Sequence, residues 1–102
     1  MHRLLSDNRE TIVELCKRFH VSRLDVFGSA AAGGFDPARS DVDLLVEFDD
    51  AMPIRRFRAY FGLKAELEAL LGRKVDLVEP GGIRNAYYKR GIEATREQLY
   101  AA

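Results

Sequence analysis

Two aspartates separated by one residue are the first candidates for chemistry in this chain. Asp41 and Asp43 begin a segment in which apolar and acidic residues alternate, interrupted by Leu45, as far as Asp49. Such alternation is typical of a strand, whose residues two apart project from the same face with alpha carbons about 6.5 to 7 Å apart. Carboxylates so placed repel each other unless a cation lies between them, and oxygen donors without His or Cys favour Mg²⁺ or Mn²⁺. The spacing therefore predicts a divalent metal site.

A third aspartate lies in a short apolar segment further along the chain. Asp76 stands within Val75–Val78, where a charge is unexpected unless it faces a functional site. If this segment is a strand next to that of Asp41 and Asp43, three carboxylates share one surface. Three carboxylates are enough to hold two metal ions about 3.5 to 4 Å apart.

A glycine and a serine supply a candidate phosphate site. Gly28 and Ser29 follow Phe27 at the predicted end of a strand, where backbone N–H groups and a hydroxyl can bind phosphate oxygens. The pair alone is common in turns. Combined with the three carboxylates, it completes the set needed for metal-assisted phosphoryl or nucleotidyl transfer: an anion site, metal ligands and a candidate base.

The helices that must position these residues follow from apolar residues at helical spacing. The pattern predicts a helix over about residues 8–19, with Asp7 and Glu10 as a capping box. A long helix of about 18 residues should begin at Pro53 and end at Gly72. Its apolar stripes are Ile54, Phe57, Phe61, Leu63, Leu67, Leu70 and Leu71. A final helix should carry Tyr88, Ile92, Thr95 and Leu99.

Three strands alternate with these helices. Apolar residues between turn signals predict strands at Arg23–Phe27, Asp41–Asp49 and Lys74–Val78. The Gly-rich, Ala-rich and Ser-rich stretch from Gly28 to Ser40 should form a turn, a short helix and a loop. This order indicates an α/β (α+β) domain, spanning residues 1–102, in which helices pack on a small sheet.

Composition restricts the class of protein. The chain has 102 residues and a net charge of zero, so a large multi-domain enzyme and a strongly basic nucleic-acid-binding protein are disfavoured. Residues 1–51 carry a net charge of −4 (6 − 10) and residues 52–102 one of +4 (10 − 6). Cys16 is the sole cysteine, and no apolar run reaches the about 20 residues of a membrane span. We expect a protein of the reducing cytoplasm.

The motifs together resemble a known family. The run GSAAAGGFDPARSDVDLLVEF followed by KVDLVEP is similar to the minimal nucleotidyltransferases (MNT) of the DNA polymerase β superfamily. Their signature is Gly-Ser, about ten residues, Asp-x-Asp, and a later Asp on another strand. The resemblance extends over nearly the whole chain and implies a small mixed sheet backed by helices.

The resemblance also implies roles for individual residues. Gly28 and Ser29 would bind the phosphates of ATP, Asp41 and Asp43 would hold Mg²⁺, of which two ions are expected, and Asp76 would complete the site as metal ligand or base. MNT proteins are commonly paired with a small helical HEPN protein, an RNase-type toxin, and act as its antitoxin by attaching AMP to a tyrosine. The resemblance thus implies an Mg-dependent adenylyltransferase with a HEPN-type partner; whether it forms an oligomer is left open.

One departure from the family pattern keeps a second function open. Family members commonly have Arg after Gly-Ser, whereas this chain has Ala30–Ala32. Arg39, Lys74 or a basic residue of a partner could supply the charge instead. The alternative is a non-catalytic antitoxin that neutralises its partner by direct binding, with the nucleotide-binding fold kept as a scaffold.

Two basic helical surfaces complete the prediction. Arg55, Arg56 and Arg58 at the start of the long helix are expected to be solvated. The last helix combines Arg and Lys with tyrosines, a composition found in partner-docking surfaces; its residues are Arg84, Tyr87, Tyr88, Lys89, Arg90, Arg96 and Tyr100.

Overall fold

The computed structural model describes residues 1–49 and 51–102. In these residues helices and strands alternate after two initial helices. The helices are α1 (Arg3–Ser6), α2 (Arg9–Arg18), α3 (Ser29–Ala32), α4 (Pro53–Leu71) and α5 (Ala86–Thr95), with a 3₁₀ turn at Pro80–Gly82. The strands are β1 (Val21–Phe27), β2 (Val42–Phe48), β3 (Val75–Val78) and β4 (Glu97–Ala101).

The strands described form one mixed sheet in the order β3-β2-β1-β4. β1 is antiparallel to both β2 and β4, whereas β2 and β3, which α4 connects, are parallel. The predicted fold class, a small mixed sheet packed against helices, is confirmed. The register places Asp43 directly opposite Asp76 and also opposite Phe27, so the strand adjacency that the acidic site requires is present.

The two faces of the sheet have different environments. On one face, aliphatic side chains of the strands pack with α1, α2 and the second half of α4 in the main core, which includes Leu24, Val26, Leu44, Val46, Leu63, Leu67 and Val75. On the other face, Phe27 and Leu45 pack against Ile92 of α5 in a smaller cluster. Asp43 and Asp76 lie on this second face, because they alternate with buried aliphatic residues of the main core.

The predicted final helix is wrong in its second half. α5 ends at Thr95 because Arg96 has extended backbone angles (φ −60°, ψ 139°), and the next residues pair with β1 as β4. Leu99, predicted on the helix, is a buried strand residue. A single apolar residue four positions after Thr95 is compatible with a helix and with a strand. The strand forms because β1 has a free edge with which these residues can pair.

The long helix α4 has the predicted ends but not the predicted burial. Pro53 occupies its first turn, and Gly72 ends it in the left-handed conformation (φ 66°). Leu63, Leu67 and Leu71 are buried, as expected. Ile54, Phe57 and Phe61, predicted on the apolar stripes, are instead 58%, 62% and 52% exposed, because the first half of α4 extends past the core.

The capping box predicted for the first helix is not formed. Asp7 is the C-terminal cap of α1, and Asn8 precedes α2 without a side-chain capping bond. The Asn8 side-chain amide donates to the Leu4 carbonyl at 2.7 Å instead, because α1 leaves its last carbonyls in reach. No helix in the described part of the chain is long and apolar enough to cross a membrane.

Candidate active site

An acidic pair lies at the centre of the site. The parallel register of β2 and β3 places Asp43 directly beside Asp76. The pKa of Asp43 is raised to about 6, chiefly because the carboxyl group is partly removed from water, and further by the Asp76 charge, by hydrogen bonding with the Asp76 side chain and by the Asp41 charge. Two carboxyl groups side by side provide oxygen ligands for a divalent cation once deprotonated.

Gly28 lies against this pair. Its backbone (φ 70°, ψ −149°) is in a region that residues with a side chain rarely adopt. A Cβ atom at Gly28 would come within 2.6 Å of Asp43 Oδ2. Glycine is therefore required both by the turn and by the close approach of the backbone to the acidic group.

Thr95 connects α5 to the Gly28 turn. The Gly28 amide donates to Thr95 Oγ1 at 3.0 Å, and the Thr95 hydroxyl donates to the Gly91 carbonyl at 3.1 Å. Sequence reasoning placed Thr95 on an apolar stripe and missed this role. A Thr that can bond to its own helix at i−4 is common, so the sequence carried no signal for the distant contact.

We expect Thr95→Val to weaken the fold by about 1 kcal/mol, because the Gly28 amide loses its acceptor in a partly buried position. Thr95→Ser retains a hydroxyl and should stay within about 0.5 kcal/mol of the parent chain, the usual limit for substitutions without a lost contact. Urea unfolding of both variants measures the difference. Equal stability of the Val and Ser variants would contradict the assigned role of the hydroxyl.

A second polar connection fixes the junction between α5 and β4. Asp25 on β1 is completely buried and accepts from Arg96 at 2.6 and 2.7 Å and from Arg23 at 3.1 Å. Arg96, predicted to contribute to a docking surface, therefore holds α5 and β4 against β1. Sequence reasoning also missed Asp25, since an acidic residue within a strand does not reveal which cation reaches it.

The acidic pair opens into a cleft of about 920 Å³ beneath α5. Its walls are largely apolar and include Phe27, Ile83 and Ile92. Tyr88 packs edge-on against Phe27, with ring centroids 6.2 Å apart. Burial, followed by the charges of Asp43 and Asp76, raises the pKa of Tyr88. An apolar cleft with acidic groups at one end suits a ligand that combines a ring system with a cation-bound anionic group.

The remaining predicted residues lie outside the cleft lining. Asp41 precedes β2, and its charge acts on Asp43. Ser29 begins α3 and borders a smaller cavity together with Met1 and His2. Within residues 1–49 and 51–102, no three His, Cys, Asp or Glu side chains are grouped as metal ligands. The structure thus brings together Gly28, Asp43 and Asp76.

The donor set nevertheless fits Mg²⁺. Asp43 and Asp76 offer carboxylate oxygens without nitrogen or sulfur, which are the ligands Mg²⁺ prefers. The register sets the two carboxyl groups side by side, and the charge of Asp76 contributes to the raised pKa of Asp43. A divalent cation between the two groups would relieve this repulsion. Asp41, two residues before Asp43, acts on Asp43 through its charge.

Comparison with known proteins places these features in context. A family model described as a nucleotidyltransferase domain matches residues 9–98. The protein adenylyltransferase MntA of Thermococcus cleftensis is 40% identical over 87 residues, which are 85% of this chain and 81% of the relative.

Solved structures share the fold. One described as a minimal nucleotidyltransferase superposes with a TM-score of 0.75 at 33% identity, covering 95% of both chains. Another, a tri-AMPylated Shewanella oneidensis HEPN toxin in complex with an MNT antitoxin, has a TM-score of 0.65 at 20% identity, covering 95% of this chain and 72% of that chain. At that identity the second likeness concerns the fold alone.

Proposed function

The chain belongs to the nucleotidyltransferase domain family, and from this membership we propose that it transfers AMP from ATP to a hydroxyl group of a partner protein in an Mg²⁺-dependent reaction. The observation that carries the proposal is the contact between the Asp43–Asp76 pair and the Gly28 turn at the end of the apolar cleft. The relative named protein adenylyltransferase MntA, 40% identical, supports AMP as the transferred group.

Each part of the site has a task in this reaction. Asp43 and Asp76, with help from Asp41, would hold Mg²⁺, which would supply positive charge that offsets the triphosphate. Gly28 lets the backbone approach the phosphates, with the Ser29 hydroxyl beside it. Phe27, Ile92 and the other apolar walls of the cleft suit the adenine ring.

The acidic pair accepts the proton that the reaction releases. The acceptor oxygen attacks the α-phosphorus of ATP, a new P–O bond forms, the bond to the β-phosphate oxygen breaks, and pyrophosphate leaves. The proton of the acceptor hydroxyl passes to a carboxylate oxygen of Asp76, the candidate base. The position of Asp76 next to Asp43, whose pKa is raised to about 6, supports the assignment of proton transfer to this pair of carboxyl groups.

We infer that the partner is a helical HEPN-type protein and that this chain acts as its antitoxin. The support is the family resemblance together with the shared fold of the MNT antitoxin found with the AMPylated HEPN toxin. Both proteins would act in the cytoplasm, where a buried, unpaired Cys16 is stable.

The competing function is a non-catalytic antitoxin, favoured by Ala30–Ala32 in place of arginines. Arg39 and Lys74, considered as substitutes, do not line the cleft, whereas Arg84 does. Arg84 therefore offers a cation for the triphosphate from this chain's own residues, and the catalytic function is the better supported of the two.

Labelling distinguishes the two functions. Wild-type chain incubated with α-labelled ATP, Mg²⁺ and the HEPN-type protein should label that protein. Asp76→Asn and Asp41→Asn should reduce labelling at least a hundredfold, since removing one group that acts on the reacting phosphate commonly costs about 10²–10³ in rate. Glu47→Gln, on the exposed end of β2, serves as the matched control and should label normally.

Labelling that persists in both Asp variants would contradict the proposed site. Neutralisation of the HEPN-type protein without any label, and unaffected by either substitution, would favour the non-catalytic alternative.

A further inference from the structure

The first half of α4 presents an unusual apolar surface. Ile54, Phe57 and Phe61 lie three and four residues apart, so they project from one face of the helix. All three are more than half exposed, and the rings of Phe57 and Phe61 pack together with centroids 4.9 Å apart. We call these three residues the α4 stripe. It contributes nothing to the main core of the described chain, whose buried α4 residues are Leu63, Leu67 and Leu71 of the second half of the helix.

The exposed apolar area has the size that functional patches of monomeric proteins have. A Phe side chain buries about 150 to 250 Å² when it is fully covered, so the α4 stripe leaves apolar area on the order of 400 Å² in water. The largest apolar patch of a typical monomeric protein is about 300 to 600 Å² and is often functional. Burial against a protein is therefore the natural use of this surface.

The charges around the α4 stripe select the kind of occupant. Between Pro53 and Ala65 the sequence contains four basic residues and no Asp or Glu. The four are Arg55, Arg56, Arg58 and Lys64. An occupant with carboxylates around an apolar groove would complement both the stripe and its basic border.

A second copy of this chain fits poorly. Pairing two α4 stripes around a two-fold axis would set the basic border of one copy against the basic border of the other. The charge pattern thus favours a different protein over self-association.

The α4 stripe is also close to the strand that carries the candidate base. Arg56 Nε lies 4.0 Å from Glu79 Oε1, three residues beyond Asp76. Tyr60, on the same helix, donates to the Leu77 carbonyl at 2.5 Å. A protein docked on the stripe would border β3, one of the two edge strands of the described sheet.

We propose that the α4 stripe is the surface on which the acceptor protein docks, and that this protein inserts the stripe into an apolar groove edged by carboxylates. The inference rests on the proposed transfer to a partner protein and identifies how that partner is held. Docking occurs outside the cleft, so it is separable from nucleotide binding and from chemistry.

Binding measurements test the proposal, with the HEPN-type protein of the same organism as the probe. Phe57→Asp places a charge in the centre of the α4 stripe and should weaken binding at least tenfold, because an ionised group in an apolar groove costs more than it gains. Phe57→Leu keeps an apolar side chain and should retain most of the affinity. Thr11→Asp, an equally charged change on an exposed position of α2, should bind as the wild type does.

Two further measurements separate docking from the other properties of the chain. Melting temperature and ATP affinity should be unchanged in Phe57→Asp, because Phe57 is exposed and does not line the cleft. The Asp43→Asn variant should bind the HEPN-type protein without labelling it. Failure of the proposed chemistry would show as binding without transfer in the wild type itself.

Three outcomes would overturn the docking proposal. One is wild-type affinity in both Phe57→Asp and Phe61→Asp. Another is absence of binding between the wild-type chain and the HEPN-type protein. The third is a wild-type dimer, seen by light scattering, that Phe57→Asp converts to a monomer, since the occupant would then be a second copy.

Discussion

Asp43→Asn should abolish AMP transfer and, at the same time, make the fold more stable at pH 8. Asp43 is held against Asp76 and Gly28 in a partly desolvated position. Ionisation there is unfavourable, which is why the pKa rises from 3.8 to about 6. An amide of nearly the same shape keeps the packing and removes the charge, but it loses the anionic oxygens that bind a cation.

The sign of the pH dependence follows from that rise in pKa. A carboxyl group whose pKa is higher in the folded chain binds its proton more tightly when folded, so it costs stability as the pH rises from about 4 to about 6. The loss persists at higher pH. A rise of this size corresponds to about 3 kcal/mol for a fully buried group, and because Asp43 is partly exposed to water we expect about 1 kcal/mol.

Urea unfolding in a chelator at pH 4 and pH 8 measures this effect. The gain in stability of Asp43→Asn should be small at pH 4 and reach about 1 kcal/mol at pH 8. Adding Mg²⁺ should raise the melting temperature of the wild type and not of the variant, since a ligand stabilises the state that binds it. Asp49→Asn, an exposed acid after β2, is the control. Lower stability of Asp43→Asn than of the wild type at pH 8 would contradict the placement of the carboxyl group.

Gly28→Ala should damage the fold and the site more than any other addition of a single methyl group to the chain. The residue has φ 70° and ψ −149°, and the new Cβ would lie 2.6 Å from Asp43 Oδ2. The backbone strain costs about 1 to 3 kcal/mol, and relieving the contact must move either the turn or the acidic group. We expect loss of both ATP binding and transfer, together with about 2 to 4 kcal/mol of stability, as in other changes that combine strain with overpacking.

Gly33→Ala is the control that separates the effect of backbone strain from the effect of the close contact at Gly28. Gly33 also has a positive φ (110°), but a Cβ there meets no atom within 4 Å. It should therefore lose stability through backbone strain and keep ATP affinity close to that of the wild type. Calorimetric titration with ATP and urea unfolding compare the two variants. Equal ATP affinity of Gly28→Ala and Gly33→Ala would show that close approach at Gly28 has no part in the site.

The acidic site was predictable because its information is local. The Asp41–Asp43 spacing, the charge of Asp76 within an apolar segment and the glycine at a strand end all follow from the sequence, and the register then places Asp43 beside Asp76. The catalytic and binding roles of all five residues, Gly28, Ser29, Asp41, Asp43 and Asp76, stay predictions, as does the metal. Likewise, the ends of α4 were correct because Pro53 and Gly72 mark helix ends by their own backbone preferences.

The features that sequence reasoning missed depend on distant partners. β4 exists because β1 offers an edge, and Leu99 alone does not distinguish a strand from a helix. The polar bonds of Thr95 and Asp25 join residues 67 and 71 positions apart. The apolar spacing of Phe57 and Phe61 correctly predicts one face of a helix but does not tell whether that face meets the core or the solvent.

The attachment of α5 has a consequence for the ligand-free chain. Of its ten residues, all within the described part, Ile92 is the one that is buried, so the helix is held largely by the bonds of Thr95 and of the adjoining Arg96. Segments with so few apolar contacts open locally at low cost, without global unfolding. One such opening of α5 would release the Gly28 amide and move Tyr88 away from the cleft at the same time. The ordering of α5 and the binding of a ligand in the cleft are therefore thermodynamically linked. Amide exchange along α5 should slow when a ligand fills the cleft.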